Sequence, residues 1–196
     1  MKRTFEGWKV TAACALAVAI VCGAALLIYG TGEEGLRSGV RATARTSVAI
    51  FLVVFAASSL NALARAPLTK WMLRNRKHLG LGLAVSHFTH AAFLVALMAR
   101  VPEFRADFSV SDSAGGLTTY AFLLAMTVTS FDGPKRRLGP RAWKVLHKAG
   151  MYALWALFTA SYVIRVDRVP VYYVPLALLV GALALRAYVR LRRRNR

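Results

Sequence analysis

Long uncharged stretches alternate with short charged clusters along almost the whole chain. Each stretch approaches the ~17–25 residues that an α-helix rising ~1.5 Å per residue needs to cross the hydrocarbon core of a bilayer. The pattern predicts an all-α integral membrane bundle that forms one transmembrane domain over residues 1–196. Its six predicted spans cover residues of about 9–29, 45–64, 79–99, 113–131, 146–164 and 170–188.

Composition agrees with this class of protein. Hydrophobic residues make up 57% of the 196 residues and charged residues 18%, against roughly 45–50% and about 25% in soluble domains. A cleaved signal peptide is the other interpretation of the first apolar stretch. That stretch has twenty residues, Val10 to Tyr29, whereas the apolar part of a secretory signal has ~7–15. It is therefore predicted to be a first span.

Lysine and arginine are distributed unequally between the two sides of the predicted bundle. Of the 27 basic residues, twenty fall on the side that holds both termini. The other seven are Arg37, Arg41, Arg45, Arg100, Arg105, Arg165 and Arg168. Because short cytoplasmic loops are enriched in Lys and Arg, we expect both termini to lie in the cytoplasm and the protein to reside in a bacterial inner (plasma) membrane.

A sequence pI of 11.2 would suggest a nucleic-acid partner if the protein were soluble. Here the charge is one-sided, with +18 on the predicted cytoplasmic face and +1 on the other. Membrane topology and anionic lipid headgroups account for such a distribution. No aromatic and basic platform or recognition motif accompanies the charge. The predicted partner is the lipid bilayer, and nucleic acid is excluded.

Four histidines are the candidates for chemistry, since no nucleophile triad, phosphate loop or carboxylate pair is present. His87 and His90 lie three residues apart in the middle of the third span and so on roughly one helix face. Ionisable groups at such depth are costly and usually face a bundle interior. The structural alternative is a neutral imidazole bonded to a nearby Ser or Thr. For His78 and His147, at the predicted inner boundary, the alternative is a solvated interfacial side chain.

Two motifs carry a resemblance to a known family. The run Arg76-Lys77-His78-Leu79-Gly80, with His90 ten residues after Gly80, resembles the third helix of the ferric reductase-like transmembrane domain family. A second motif resembles the entry into the fifth helix of that family and consists of Ser130-Phe131-Asp132, Arg136-Arg137-Leu138-Gly139, Trp143 and Leu146-His147. Within the family, the chain is most similar to the small heme-binding membrane subunit of the bacterial periplasmic methionine sulfoxide reductase system.

The resemblance implies b-type heme held between histidines of the third and fifth helices. His90 matches the outer ligand of the third helix and His147 the inner ligand of the fifth, so both are predicted to ligate iron. The family's other two ligand positions fall near Arg76 and Ala160, which are not histidines. His90 and His147 are then expected at different depths, about 15 Å apart. We therefore expect one heme per chain, or none.

Two ligand arrangements remain open. Either His78 pairs with His147 at a matching depth, or His90 holds the heme alone, with His87, Ser161 or Tyr162 nearby. The resemblance also implies that electrons come from a separate cytoplasmic reductase, a bound flavin or a quinone, and pass to a periplasmic or metal acceptor. The alternative from another class is a heme-free six-helix scaffold or small-molecule carrier.

Overall fold

The computed structural model describes residues 5–106 and 110–195. Within these residues the chain forms α-helices, a short 3-10 turn at Pro170–Tyr172 and no strand, which confirms the predicted all-α fold. The α-helices are α1 (Trp8–Tyr29), α2 (Glu33–Leu63), α3 (Pro67–Arg74), α4 (Arg76–Arg100), α5 (Pro102–Ala106), α6 (Val110–Val128), α7 (Asp132–Leu138), α8 (Pro140–Val166) and α9 (Tyr173–Arg194).

Five of the described helices are long and apolar enough, by length and composition, to cross a membrane. They are α1, α2, α4, α8 and the segment Pro170–Arg194 that contains α9. A sixth crossing results if α6 and α7 are taken together. The chain is therefore a multi-pass membrane protein, as the distribution of uncharged stretches predicts.

The region of the fourth predicted span, residues 113–131, contains a sharp bend. Residues Ala114–Val128 and α7 meet at an angle of 107°. The hydroxyls of Thr129 and Ser130 donate to the Ala125 and Met126 carbonyls at 2.6 and 2.7 Å, and such back-bonding competes with the helical ladder. The sequence pattern does not predict this bend, because uninterrupted apolarity says nothing about local backbone competition.

The helix of the second crossing extends beyond the predicted span 45–64, since α2 begins at Glu33. Glu33 lies in the first turn, where a carboxylate is favoured by the helix dipole. Its Oε1 accepts a hydrogen bond from Nε of Arg37 at 2.6 Å. Charges that the sequence pattern assigns to a loop thus belong to the first turns of a helix.

By contacts, the chain divides into two compact units. The first comprises Met1–Phe51 and Asn75–Ala114, and in it α1 runs parallel to α4. The Gly7 N–H donates to Asn75 Oδ1 at 2.8 Å, 68 residues away, and Thr11 bonds to His78, 67 residues away. A nearly constant offset means parallel helices, as expected for a first and third crossing. A Cβ built on Gly82 would lie 2.5 Å from Cβ of Cys14, so the two backbones approach closely there.

The second unit comprises Leu52–Arg74 and Gly115–Arg196. Within it α8 and α9 run antiparallel, since Trp155 Nε1 donates to the Leu179 carbonyl at 2.9 Å and the Tyr162 and Tyr172 rings meet at 5.3 Å. The guanidinium of Arg186 lies 4.2 Å from the ring centroid of Phe55 and donates to the Phe55 carbonyl at 2.9 Å. A cation on an apolar helix is thus held by an aromatic face and a main-chain oxygen.

Candidate functional site

A row of polar side chains lies between α2 and α4 in the first unit. We call it the polar seam and define it as Thr43 and Ser47 of α2 with Ser86 and His90 of α4. Thr43, Ser47 and Ser86 are all 0% exposed. The hydroxyls of Ser47 and Ser86 bond at 2.9 Å, and Thr43 Oγ1 lies 3.1 Å from His90 Nδ1. Thr43 lies four residues before Ser47 on α2, whereas its partner His90 lies four residues after Ser86 on α4. The two helices are therefore antiparallel.

The hydrogen bonds of His90 determine its protonation form. Nδ1 lies 3.1 Å from the Val40 carbonyl oxygen, which can only accept. The proton of neutral His90 is therefore on Nδ1, and Nε2 carries the lone pair. All the hydrogen bonds that His90 makes in the described part of the chain involve Nδ1. An imidazole with a bonded Nδ1–H and a basic Nε2 is the usual form of a histidine that ligates a metal.

His87 lies one turn before His90 on α4 and is almost fully buried, at 3% exposed. The two imidazoles stack with centroids 5.4 Å apart and planes 14° from parallel. Stacked rings on one helix cannot occupy opposite axial positions of the same iron. The structure thus brings two of the predicted site residues together, but in an arrangement that allows at most one of them to serve a given heme.

Charged residues of α2 lie near the part of α4 that contains His90, although α4 is apolar there. Thr43 faces α4, so Arg41 and Arg45, two residues to either side, project from the opposite face of α2, where both are exposed. The sequence pattern assigns Arg45 to the outer end of the second span. The pairing of Thr43 with His90 instead puts Arg45 level with the middle of the third span. The register of the two helices is set by side-chain contacts rather than by the ends of apolar runs.

His78 lies near the start of α4 and packs on the start of α1. Its Nδ1 is 3.2 Å from Thr11 Oγ1, and its ring meets the Trp8 ring edge-on at a centroid distance of 5.2 Å. The ring of His78 is thus partly buried at the start of the helix.

His147 lies in α8, in the second unit, beside the bend that follows α6. Thr129 Oγ1 donates its only proton to the Ala125 carbonyl at 2.6 Å, so it accepts a hydrogen bond from His147 Nε2 at 3.1 Å. Trp143 covers the ring at a centroid distance of 4.2 Å and donates from Nε1 to the Thr129 carbonyl at 2.9 Å. His147 is therefore held with Nε2 protonated, the opposite form to His90.

Sequence reasoning did not single out Thr43 or Ser47. The signal that could have found them is the matched spacing of four residues, Thr43 to Ser47 on one apolar helix and Ser86 to His90 on another. Among the described residues, no three His, Cys, Asp or Glu side chains converge on a position for a metal ion. What the seam presents is one partly buried imidazole with a directed lone pair, suited to a cofactor that brings its own equatorial ligands.

Comparison with known proteins gives one family. A family model described as ferric reductase like transmembrane component matches residues 38–159, which is more than half of the chain. The matched segment includes the polar seam and all four histidines. No curated protein and no solved structure gives a significant match.

Proposed function

Because the chain belongs to the ferric reductase-like transmembrane component family, we propose that it is a membrane electron-transfer subunit that binds b-type heme, with His90 as an axial ligand. The observation that carries the proposal is the state of His90, whose Nδ1 is bonded to the Val40 carbonyl and Thr43 Oγ1. That arrangement leaves the Nε2 lone pair available. A bound heme would supply a reversible one-electron iron centre.

In the proposed arrangement His90 holds the heme alone, since His78 lies twelve residues earlier on the same helix, about 18 Å away along its axis, and cannot ligate the same iron. The alternative arrangement is that His78 pairs with His147, the residue that corresponds to the family's ligand on the fifth helix. Ligation through Nε2 of His147 requires that its bond to Thr129 be given up. Ligation by His78 through Nε2 leaves the hydrogen bond between its Nδ1 and Thr11 Oγ1 in place.

Electrons must reach this subunit from a donor and leave it for an acceptor. The proposed donor is a separate cytoplasmic reductase, a bound flavin or a quinone, since the family's membrane component carries electrons rather than generating them. The proposed acceptor is a periplasmic protein, by analogy with the methionine sulfoxide reductase system. A bacterial inner membrane with cytoplasmic termini is part of the same proposal and rests on the unequal distribution of Lys and Arg.

The absorption spectrum of the detergent-solubilised protein, oxidised and then reduced with dithionite, tests the proposal. We expect a Soret band and, for two imidazole ligands, sharp low-spin α and β bands on reduction; a single axial histidine gives a high-spin spectrum. Heme measured as pyridine hemochrome against protein by amino-acid analysis should approach one per chain. Absence of a Soret band after expression with ample heme would favour the heme-free scaffold, and a ratio near two would contradict the predicted single site.

A further inference from the structure

The surroundings of Thr43 determine which ring nitrogen of His90 carries the proton. We propose that Thr43 is a positioning residue that, together with the Val40 carbonyl, holds His90 with Nδ1 protonated and Nε2 free to bind iron. The inference rests on the proposed heme function for its purpose, but the protonation form itself does not depend on heme. It adds to the site a residue from a different helix.

The direction of the hydrogen bond follows from counting protons. Thr43 has one hydroxyl proton, and its Oγ1 lies 2.7 Å from the Gly39 carbonyl, four residues earlier on α2. A carbonyl oxygen cannot donate, so the proton of Thr43 goes to a carbonyl of its own helix, Gly39 at 2.7 Å with Val40 farther away at 3.2 Å. Towards His90 Nδ1, at 3.1 Å, Oγ1 is then an acceptor. Two acceptors, Oγ1 of Thr43 and the oxygen of Val40, thus face the same ring nitrogen.

The burial of Thr43 favours its hydrogen bond with the His90 ring over a bond with water. Thr43 is 0% exposed, so water does not replace its hydroxyl as a partner for the ring. Ser86 Oγ lies within 3.4 Å of the Thr43 carbonyl and 2.9 Å from Ser47 Oγ. These bonds hold α2 and α4 in register and keep the Thr43 hydroxyl opposite His90. Free imidazole in water distributes its proton between both nitrogens, so a fixed form requires such partners.

The expected consequence is electronic as well as geometric. A hydrogen bond accepted from Nδ1–H increases the basicity of Nε2. A more basic axial ligand stabilises ferric over ferrous iron and lowers the reduction potential, since outer hydrogen bonding is one of the means by which proteins tune heme. Thr43 would therefore affect the potential without touching the heme.

Thr43→Val keeps the shape of the side chain and removes the acceptor. We expect heme affinity to fall by about tenfold, as for other partners of metal-bound histidines, and the midpoint potential of the remaining heme to move in the positive direction. Thr43→Ser keeps the oxygen and should restore both properties. The matched control is Thr46→Val, because Thr46 Oγ1 makes the same bond to a carbonyl four residues earlier, Ala42 at 3.0 Å, and among the described residues has no hydrogen bond to a histidine.

A measurement on the wild-type protein keeps the test independent of folding in the variants. ¹⁵N NMR of full-length, histidine-labelled, heme-free protein in detergent reports which nitrogen of each ring is protonated, and His90→Gln identifies the His90 signals. We expect the Nδ1–H form. A dominant Nε2–H form overturns the inference, as does a Thr43→Val potential equal to that of wild type and Thr46→Val. The inference about Thr43 can therefore fail even if the protein binds heme. The NMR measurement can be made even if the protein binds no heme.

Discussion

His87 and His90 are chemically identical side chains one turn apart on α4, yet only His90 has Nδ1 bonded to a carbonyl and a hydroxyl of α2. We predict that His90→Ala lowers heme content more than about tenfold, since loss of an axial ligand should exceed the effect of losing an outer partner. His87→Ala should leave most of the heme in place. Pyridine hemochrome per milligram of purified protein measures both.

His87→Ala serves as the control because it removes an equally deep imidazole from the same helix. It also removes a stacked neighbour of His90, with ring centroids 5.4 Å apart, so a modest loss is expected from poorer packing. Equal and severe loss in both variants, with unchanged protein yield, would show that the assignment of the ligand on α4 is wrong.

At the scale of the helices, two glycines of α4, Gly82 and Gly80, allow a test of how α4 packs against α1. A Cβ at Gly82 would lie 2.5 Å from Cβ and 2.7 Å from Sγ of Cys14 on α1, whereas a Cβ at Gly80 would meet nothing within 4 Å. We predict that Gly82→Ala forces α1 and α4 apart and lowers the free energy of unfolding by about 1–3 kcal/mol. Thermal unfolding in detergent, followed by tryptophan fluorescence, measures the change.

Gly80→Ala is the control for helix propensity on the same element. Alanine is favoured over glycine in a helix by about 1 kcal/mol, so this variant should be as stable as wild type or slightly more stable. If Gly82→Ala were also neutral, the close approach of α1 and α4 would not exist in the folded protein.

Membrane orientation is a property of the whole molecule and rests on the division of basic residues, twenty on one side and seven on the other. We predict that a reporter fused after Arg196 is active only in the cytoplasm. The same reporter inserted between Pro102 and Asp112 should be active only in the periplasm. Paired alkaline phosphatase and green fluorescent protein fusions distinguish the two compartments, and the reverse pattern would overturn the proposed direction of electron flow.

The membrane class and the all-α fold could be predicted from the sequence alone, which also names the four histidines as candidates. The physical reason is that hydrocarbon imposes a local requirement: a crossing helix must satisfy its backbone internally and be apolar over about 20 residues. Each stretch meets that requirement through its own residues. It can therefore be recognised without knowing which other residues the stretch contacts. The family match over residues 38–159 agrees with the resemblance carried by His78, His90 and His147.

Tertiary structure alone decided what depends on residues distant in sequence. Thr43 and His90 are 47 residues apart, and no local pattern states which ring nitrogen is protonated or that α2 supplies both acceptors. The close approach at Gly82 needs Cys14 of another helix, and the bend after Val128 depends on hydroxyls that bond back to their own helix. An apolar run determines that a helix crosses the membrane. The register of that helix against its neighbours, and hence the chemistry of a partly buried imidazole such as His90, is set only when the helices pack.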